Sequence, residues 1–519
     1  MARLYSKEVF IIKGKVSVWG TSLACAITGG FAYSVCFGIP AIALPLVLKT
    51  CGAASLTIAG LLLSNLLNPR QTLEDMLRHV YLLGATGSGK TSKILSDIFL
   101  PWISGCYTPH LKQKPGALVI ETKDPESVDD ILNSIPESEH DRVIVFDPYD
   151  MHIHEQYVGL NILEANYQLK TVKTLVGGET ISVFNRTWEG FIGPSSEDII
   201  RNITLANLDQ KEPTTILENY RLIKDSEYRE LVSANIENPV LQDYFVNNFP
   251  EPSKNSQMFN PPLNKLRAFL TDDLALYILG QKTGLNFRQI MDEGKILIMC
   301  LPKGLIGEPL SRLLASIAIS KTQLAAFSRS DISKSERFKR PFMVVCDEFQ
   351  DYCNSSFNVF LEQARSMGIS LVLSHQLLRQ KGIPEDMVDS IMANVATKYV
   401  FACGINDAPV MAKELRVRKP GEDGEEPFND WVLNHLPNFT CIAKRIVQGK
   451  RVSPVKEKSP PPPPKGDWAA KLRESSQSKY GVPLEYIKGD IHGRLKNTVW
   501  YFPEEDYTQI GKVVIEDDL

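Results

Sequence analysis

The sequence predicts an α/β protein: a doubly wound parallel sheet interrupted by an all-α lobe and preceded by a helical hairpin in a membrane. Three observations predict it. Short apolar runs without polar alternation recur along the chain, separated by stretches of helical spacing, as expected of strands buried on both faces and their crossover helices. Between residues 195 and 290 the runs stop and apolar residues recur at three- and four-residue spacing instead. The first 70 residues contain two long stretches with no charge.

The hairpin comes first. No charged residue lies between Lys15 and Lys49, and none from Cys51 to Leu67. Two spans follow, 16–37 and 51–67, with Lys49 kept out of the bilayer in a turn helped by Gly38, Pro40 and Pro45. The second span reaches only about 25 Å, short for a bilayer core. Arg3, Lys7, Lys13 and Lys15 precede the first span, and Arg70 and Arg78 follow the second, which puts both ends in the cytoplasm. The plain alternative is a pair of buried helices in a soluble protein.

At 519 residues, 43% hydrophobic and 23% charged, the chain folds into more than one unit. A net charge of -4 gives no whole-chain signal for nucleic acid and leaves such contact to a locally basic channel. Nine cysteines, an odd number without a Cys-x-x-Cys pair, imply neither a disulfide framework nor a zinc site. The main body reads as cytosolic and reduced.

The segment 79–91 has an apolar strand, then Gly84, Ala85, Thr86, Gly87, Ser88, Gly89, Lys90 and Thr91, then helical spacing to Leu100. Strand, glycine-rich loop and helix form a phosphate cradle: backbone N–H groups close around a β-phosphate and the helix terminus adds partial positive charge. Lys90 is expected to reach the β- and γ-phosphates of ATP, and Thr91 to offer a hydroxyl to Mg2+.

Such a cradle needs a carboxylate on a neighbouring strand. The run Pro341–Cys346 is apolar and ends in Asp347 and Glu348. Asp347 is assigned to the metal and Glu348 to polarising the attacking water. Gly368–Leu373 reads as the next parallel strand, ending in Ser374, His375 and Gln376, and Gln376 can sense the γ-phosphate. Between them lies a helix, Val359–Met367, whose Arg365 is a candidate arginine finger for a neighbouring subunit or else a solvated arginine. Further strands are expected at Ala117–Glu121, Val143–Phe146, Ile296–Leu301 and Tyr399–Ala402.

Other features carry less. Leu175–Glu179 resembles a transporter-ATPase signature but lies far upstream of Asp347, so it reads as a turn. No Asn-Lys-x-Asp motif marks a GTPase. His152 and His154 lack a third ligand nearby and read as an exposed loop. Pro460–Pro464 is a stiff linker or partner ligand. Lys444, Arg445, Lys450, Arg451, Lys456 and Lys458 before it could touch phosphates or line a solvated hairpin. The organisation expected is an anchor at 1–70, a core in two parts at 71–194 and 291–458, a lobe at 195–290, a linker at 459–465 and a tail at 466–519 ending in Glu516–Asp518.

In this order the features resemble the conjugative DNA-transfer ATPases, the coupling proteins of type IV secretion systems related to the FtsK/HerA motors. The resemblance spans roughly 70–450 and rests on the loop ending at Thr91, Cys346–Gln350, Glu362–Arg365, Ser374–Gln376, Asn406–Ala408, the helical lobe and the two-span anchor. It implies a RecA-like P-loop ATPase forming a hexameric ring at the bacterial inner membrane. Its cargo would be single-stranded DNA or a relaxase–DNA complex, delivered to secretion-channel proteins. One departure stands out: the family often has Asp-Pro-Lys-Gly-Glu after the second strand, and this chain has Glu121-Thr-Lys-Asp-Pro-Glu126. A motor of the same superfamily for protein export or for DNA processing and defence is the alternative. A nucleotide-binding membrane scaffold without turnover is a third.

Overall fold

A computed structural model describes residues 71–164, 172–187, 193–252, 254–351, 357–379, 383, 385–417 and 427–496. Both expected membrane spans and the acidic end at 516–518 lie outside these residues. Among the described residues, no helix is long and apolar enough to cross a membrane.

The strands, in chain order, are β1 (Val80–Leu83), β2 (Gly116–Glu121), β3 (Val143–Phe146), β4 (Gln156–Tyr157), β5 (Ile296–Cys300), β6 (Phe342–Asp347), β7 (Ile369–His375), β8 (Thr397–Val400), β9 (Thr440–Lys444), β10 (Ile446–Val447), β11 (Lys450–Arg451), β12 (Val455–Lys458) and β13 (Val482–Pro483). Nine of them make one sheet in the order β12-β9-β8-β1-β7-β6-β2-β5-β3. Pairing from β8 to β3 is parallel throughout; β9 and β12 close one edge antiparallel. The apolar runs become strands because successive side chains point to opposite faces and both faces are covered. In β1, Tyr81 and Leu83 enter one core with Leu118, Ile120, Val344 and Leu371. Val80 and Leu82 enter the other with Val119, Val345, Val372 and the helix at 90–103 through Ile94, Ile98, Phe99 and Trp102. Trp102 fixes that helix by donating from Nε1 to the Gly116 carbonyl at 2.9 Å.

Helices between β4 and β5 build the lobe: Pro194–Leu208, Ile216–Lys224, Ser226–Ser233, Ser256–Leu270 and Asp273–Leu279 among them. Thr215 and Glu218 start the second with a reciprocal capping box. The turn expected at Leu175–Glu179 is corrected: those residues lie inside a helix, Val172–Thr187. Gly177 explains it, because a Cβ there would sit 3.0 Å from Leu205 Cδ2; the glycine serves close helix packing rather than a turn. His152 and His154 likewise lie on a short helix, Pro148–His154, not in a loop.

The expected tail is corrected for 466–496. Helix Ala469–Tyr480 lies on β3, where Ser476 Oγ accepts the Val145 N–H at 2.9 Å and Arg473 bridges Asp129 and Asp147. β13 pairs with β4, and Arg494 of helix Leu484–Lys496 reaches Glu218 at 3.1 Å. The proline run is held at both ends: Ser96 Oγ donates to the Pro461 carbonyl at 3.3 Å, and the Gly466 N–H donates to the Asn133 carbonyl at 2.7 Å.

Candidate functional site

β1 delivers the glycine-rich loop to the carboxy ends of the parallel strands, where ligands bind in such sheets. The loop is clamped from three sides. Gly84 N–H donates to the His375 carbonyl at 3.4 Å, Ala85 N–H to the Ala402 carbonyl at 2.9 Å, and Phe439 N–H to the Ser88 carbonyl at 2.7 Å. Ala85, Thr86 and Gly87 form the exposed crest. Gly89, at φ 104°, takes a left-handed turn and precedes the helix without a side-chain cap. The first amides of that helix are thereby left to an anion. Lys90 is buried; its Nζ donates to the carbonyls of Gly84 at 2.5 Å and Ala85 at 3.1 Å. Burial lowers its pKa, Asp347 and Glu348 oppose that, and Lys123 adds to the lowering.

The acids stand two strands away. Asp347 ends β6 opposite Ser374 of β7, which in turn lies opposite Leu82 of β1. Two strand spacings make that separation roughly 10 Å. Thr91, Glu121, Val345 and Asp347 line one cavity. Glu348 follows in a left-handed conformation, φ 51°. Gln376 Nε2 donates to its Oε1 and Gln350 Nε2 to its Oε2, both at 2.8 Å. Lys123 Nζ donates to Asp347 Oδ2 at 2.8 Å and lies 3.2 Å from Glu348 Oε1. Burial alone would raise the pKa of Glu348; the bonds from Gln376 and Gln350 and the charge of Lys123 outweigh it and hold the carboxyl below its usual range. For Lys123, burial pulls downward and the two acids more than reverse it. Glu121, at the end of β2, is pushed up to about 7 by burial and then by Asp347.

The structure brings Gly84–Thr91, Asp347, Glu348 and Gln376 together. It does not bring Arg365 to them. Arg365 is exposed in the turn Ala364–Met367 and lines a cavity with Arg78, His79, Lys398, Glu414 and Arg451. Arg78 and His79 precede β1, so this cavity opens at the amino ends of the strands, the length of a four-residue strand (roughly 13 Å) from the loop.

Three participants were not assigned from the sequence. Lys123 was hidden by the departure in its loop, although the spacing acid-x-lysine at the end of β2 was a usable signal. Gln350 stood two residues past Glu348 with nothing to show that it would fold back. His375 packs under the loop, bonded to the Tyr81 hydroxyl and 5.0 Å from the Phe349 ring; burial lowers its pKa to about 3, so it is neutral.

The donor set suits a hard cation. Among the described residues no three His, Cys, Asp or Glu side chains converge as a self-sufficient metal site. The Thr91 hydroxyl and Asp347 carboxylate instead offer two oxygens on one cavity, as for a magnesium ion completed by phosphate and water.

No protein-family model and no curated protein matches the chain. Solved structures do. The unbound monoclinic form of the bacterial conjugative coupling protein TrwBdeltaN70 superposes with a TM-score of 0.53 at 15% identity, over 76% of this chain and 87% of that one. TrwB with the GTP analogue GDPNP gives 0.53 at 16%, over 75% and 86%. TrwB with ADP and Mg2+ gives 0.53 at 15%, over 76% and 88%. Across about three quarters of its length, this chain has the fold of the conjugative coupling protein TrwB.

Proposed function

We propose that the chain is a membrane-anchored, ATP-hydrolysing motor that moves DNA, a coupling protein of the conjugative or type IV secretion class. The observation that carries this reading is the meeting of the glycine-rich loop with Asp347 and an ionised, doubly bonded Glu348 at one end of the sheet. TrwB, whose fold it shares, has been solved with ADP and Mg2+ and with a GTP analogue.

Thr91 and Asp347 would hold Mg2+, which would supply positive charge against the phosphates of the nucleotide. Lys90 turns from the Gly84 and Ala85 carbonyls to the phosphate oxygens, exchanging two neutral acceptors for charged ones. Glu348 orients the attacking water and takes its proton. Gln376, bonded to Glu348, senses whether the γ-phosphate is present and passes that state to β7. Lys123 neutralises the two acids when no metal does. Arg365 faces away from its own loop and supplies the finger to a neighbouring copy in a hexameric ring. The uncharged stretches at 16–37 and 51–67 anchor the motor in a bacterial inner membrane with both termini in the cytoplasm. The cargo is single-stranded DNA, free or joined to a relaxase, and secretion-channel proteins receive it.

Steady-state ATPase of the detergent-solubilised full chain, with and without single-stranded DNA, tests the reading. Stimulation by DNA at low salt is expected. Lys90→Ala should lose nucleotide binding, while Glu348→Gln should bind ATP and lose about 10²–10⁴-fold in turnover. Turnover equal to wild type in Glu348→Gln would discard the assignment of that acid. ATPase without DNA stimulation would favour a motor for protein export or for DNA processing and defence.

A further inference from the structure

A triphosphate seated in the loop has a direction, and the sheet order sets it. Asp347 and Glu348 lie at the end of β6, two strands to one side of β1; β8 and β9 lie on the other side. With its γ-phosphate toward the acids, the nucleotide leaves the loop toward β8 and β9, carrying ribose and base with it.

Phe439, the residue before β9, stands there. Its N–H donates to the Ser88 carbonyl at 2.7 Å, and its own carbonyl accepts the Ser459 N–H at 2.7 Å. Ser459 Oγ donates to the Gly89 carbonyl at 3.1 Å, so the residue is tied to the loop twice. A Cβ on Gly89 would come within 2.8 Å of Phe439 Cδ1, which places the ring against the turn that opens the helix. Two features of Phe439 are costly. Its φ is 58°, a left-handed conformation that a bulky aromatic side chain rarely adopts. The residue is 50% exposed, so burial does little to repay the strain. Strain held in place by surrounding bonds collects where a ligand is gripped. Beyond Ser459 the proline run leaves along the helix at 90–103, through the Ser96–Pro461 bond, and stiffens the same flank.

We propose that the Phe439 ring is the platform on which the base of the bound nucleotide stacks. This rests on the reading that the loop holds a nucleoside triphosphate, and it adds how the nucleoside end is gripped. Stacking uses the π-face that every base has, so the platform selects a purine nucleotide over bare triphosphate without choosing between adenine and guanine.

The probes are ATP and inorganic tripolyphosphate, each titrated with Mg2+ into the full chain in detergent micelles by calorimetry. Phe439→Ala should weaken ATP about 10- to 100-fold, equivalent to about 1.4–2.8 kcal/mol at 1.4 kcal/mol per decade. Tripolyphosphate should change by less than about twofold, and Phe439→Trp should restore ATP affinity. Phe439→Gly, which keeps the left-handed turn without strain, should match Phe439→Ala. Equal losses for both probes would mean that residue 439 only shapes the loop and would overturn the platform, as would unchanged ATP affinity in Phe439→Ala. A wild-type chain that binds neither probe would instead remove the nucleotide reading and the platform with it.

Discussion

The two ends of the parallel sheet carry opposite charge. At the carboxy ends, Glu121, Asp347 and Glu348 gather around Lys123 and Lys90, and each cation is engaged within the cluster. At the amino ends the cavity beside Arg365 is lined by Arg78, Arg365, Lys398, Lys444, Arg445 and Arg451 against Glu362 and Glu414. Lys398 and Lys444 share Glu414, at 3.1 and 2.8 Å, and Arg445 reaches Glu457 at 2.8 Å. Among the described residues Arg78, Arg365 and Arg451 have no ion-pair partner. One end gathers carboxylates beside the glycine-rich loop; the other gathers arginines and lysines around a cavity. The difference bears on the proposed finger: Arg365 does not reach its own loop, so the proposed role requires it to act on a neighbouring copy.

The largest effect should come from breaking that division. Arg365→Ala is expected to lower kcat by about 10³–10⁵ with nucleotide affinity retained, as for an arginine finger. Mixing Arg365→Ala with Lys90→Ala sharpens the test. Each variant should be inactive alone, yet in the proposed ring a mixture would contain interfaces with an intact Lys90 on one copy and an intact Arg365 on the next. ATPase should therefore reappear on mixing. A mixture as dead as its components would show that Arg365 does not act across subunits.

At the carboxy end, Lys123→Met removes the ammonium that bonds Asp347 and lies 3.2 Å from Glu348. Breaking a fully buried pair costs about 3–5 kcal/mol; Lys123 is partly exposed, so about 1–3 kcal/mol is expected. The loss should appear as a lower thermal midpoint in EDTA and should be regained on adding Mg2+, by more than wild type gains. A midpoint equally depressed with and without Mg2+ would mean that Lys123 is only a packing residue.

The same contrast explains what the sequence made legible. The carboxy end is specified locally. The eight residues of the loop carry their own backbone logic, and the apolar run before Asp347 can only be a strand, so β1, β2, β3, β5, β6 and β7 were readable within a residue or two. β8 begins and ends two residues before the apolar run Tyr399–Ala402, because Phe401 and Ala402 wall the loop rather than extend the strand. The amino end is assembled from residues hundreds of positions apart, Arg78 with Lys398 and Arg451, and no spacing announces it. The helices after the proline run escaped notice because they are mostly polar: Ala469–Tyr480 packs through Ala469, Leu472 and a buried Ser476, too short a stripe to read as amphipathic. β12 is hidden because its lysines read as surface charge, whereas the edge of a sheet accommodates such a strand readily.

The smallest effect concerns one buried imidazole at each end: His375 under the loop and His79 in the wall of the basic cavity. His79 takes a left-handed turn, φ 68°, and its Nδ1 accepts the Leu371 N–H at 3.1 Å. Burial brings its pKa down to about 4; a hydrogen bond with the Leu361 backbone opposes that and the Arg365 charge adds to it. The sign follows. The unfolded chain takes up the proton near pH 6.5 and the folded one refuses it until about 4, so stability is whole above 6.5 and drains away as pH falls through that window. At about 1.4 kcal/mol per pH unit, the loss from His79 reaches about 2 kcal/mol at pH 5. Asn at this position keeps the acceptor for Leu371, suits the left-handed backbone and does not titrate. Urea midpoints of His79→Asn should match wild type at pH 7.5 and fall less steeply toward pH 5, by about one proton. Arg365→Ala should ease the same acid limb, because it removes a cation that opposes protonation, and no change at the loop end predicts that coupling. If His79→Asn leaves the acid limb untouched, the protons that weaken the fold are bound elsewhere, and the amino end is less hostile to positive charge than its crowd of cations implies.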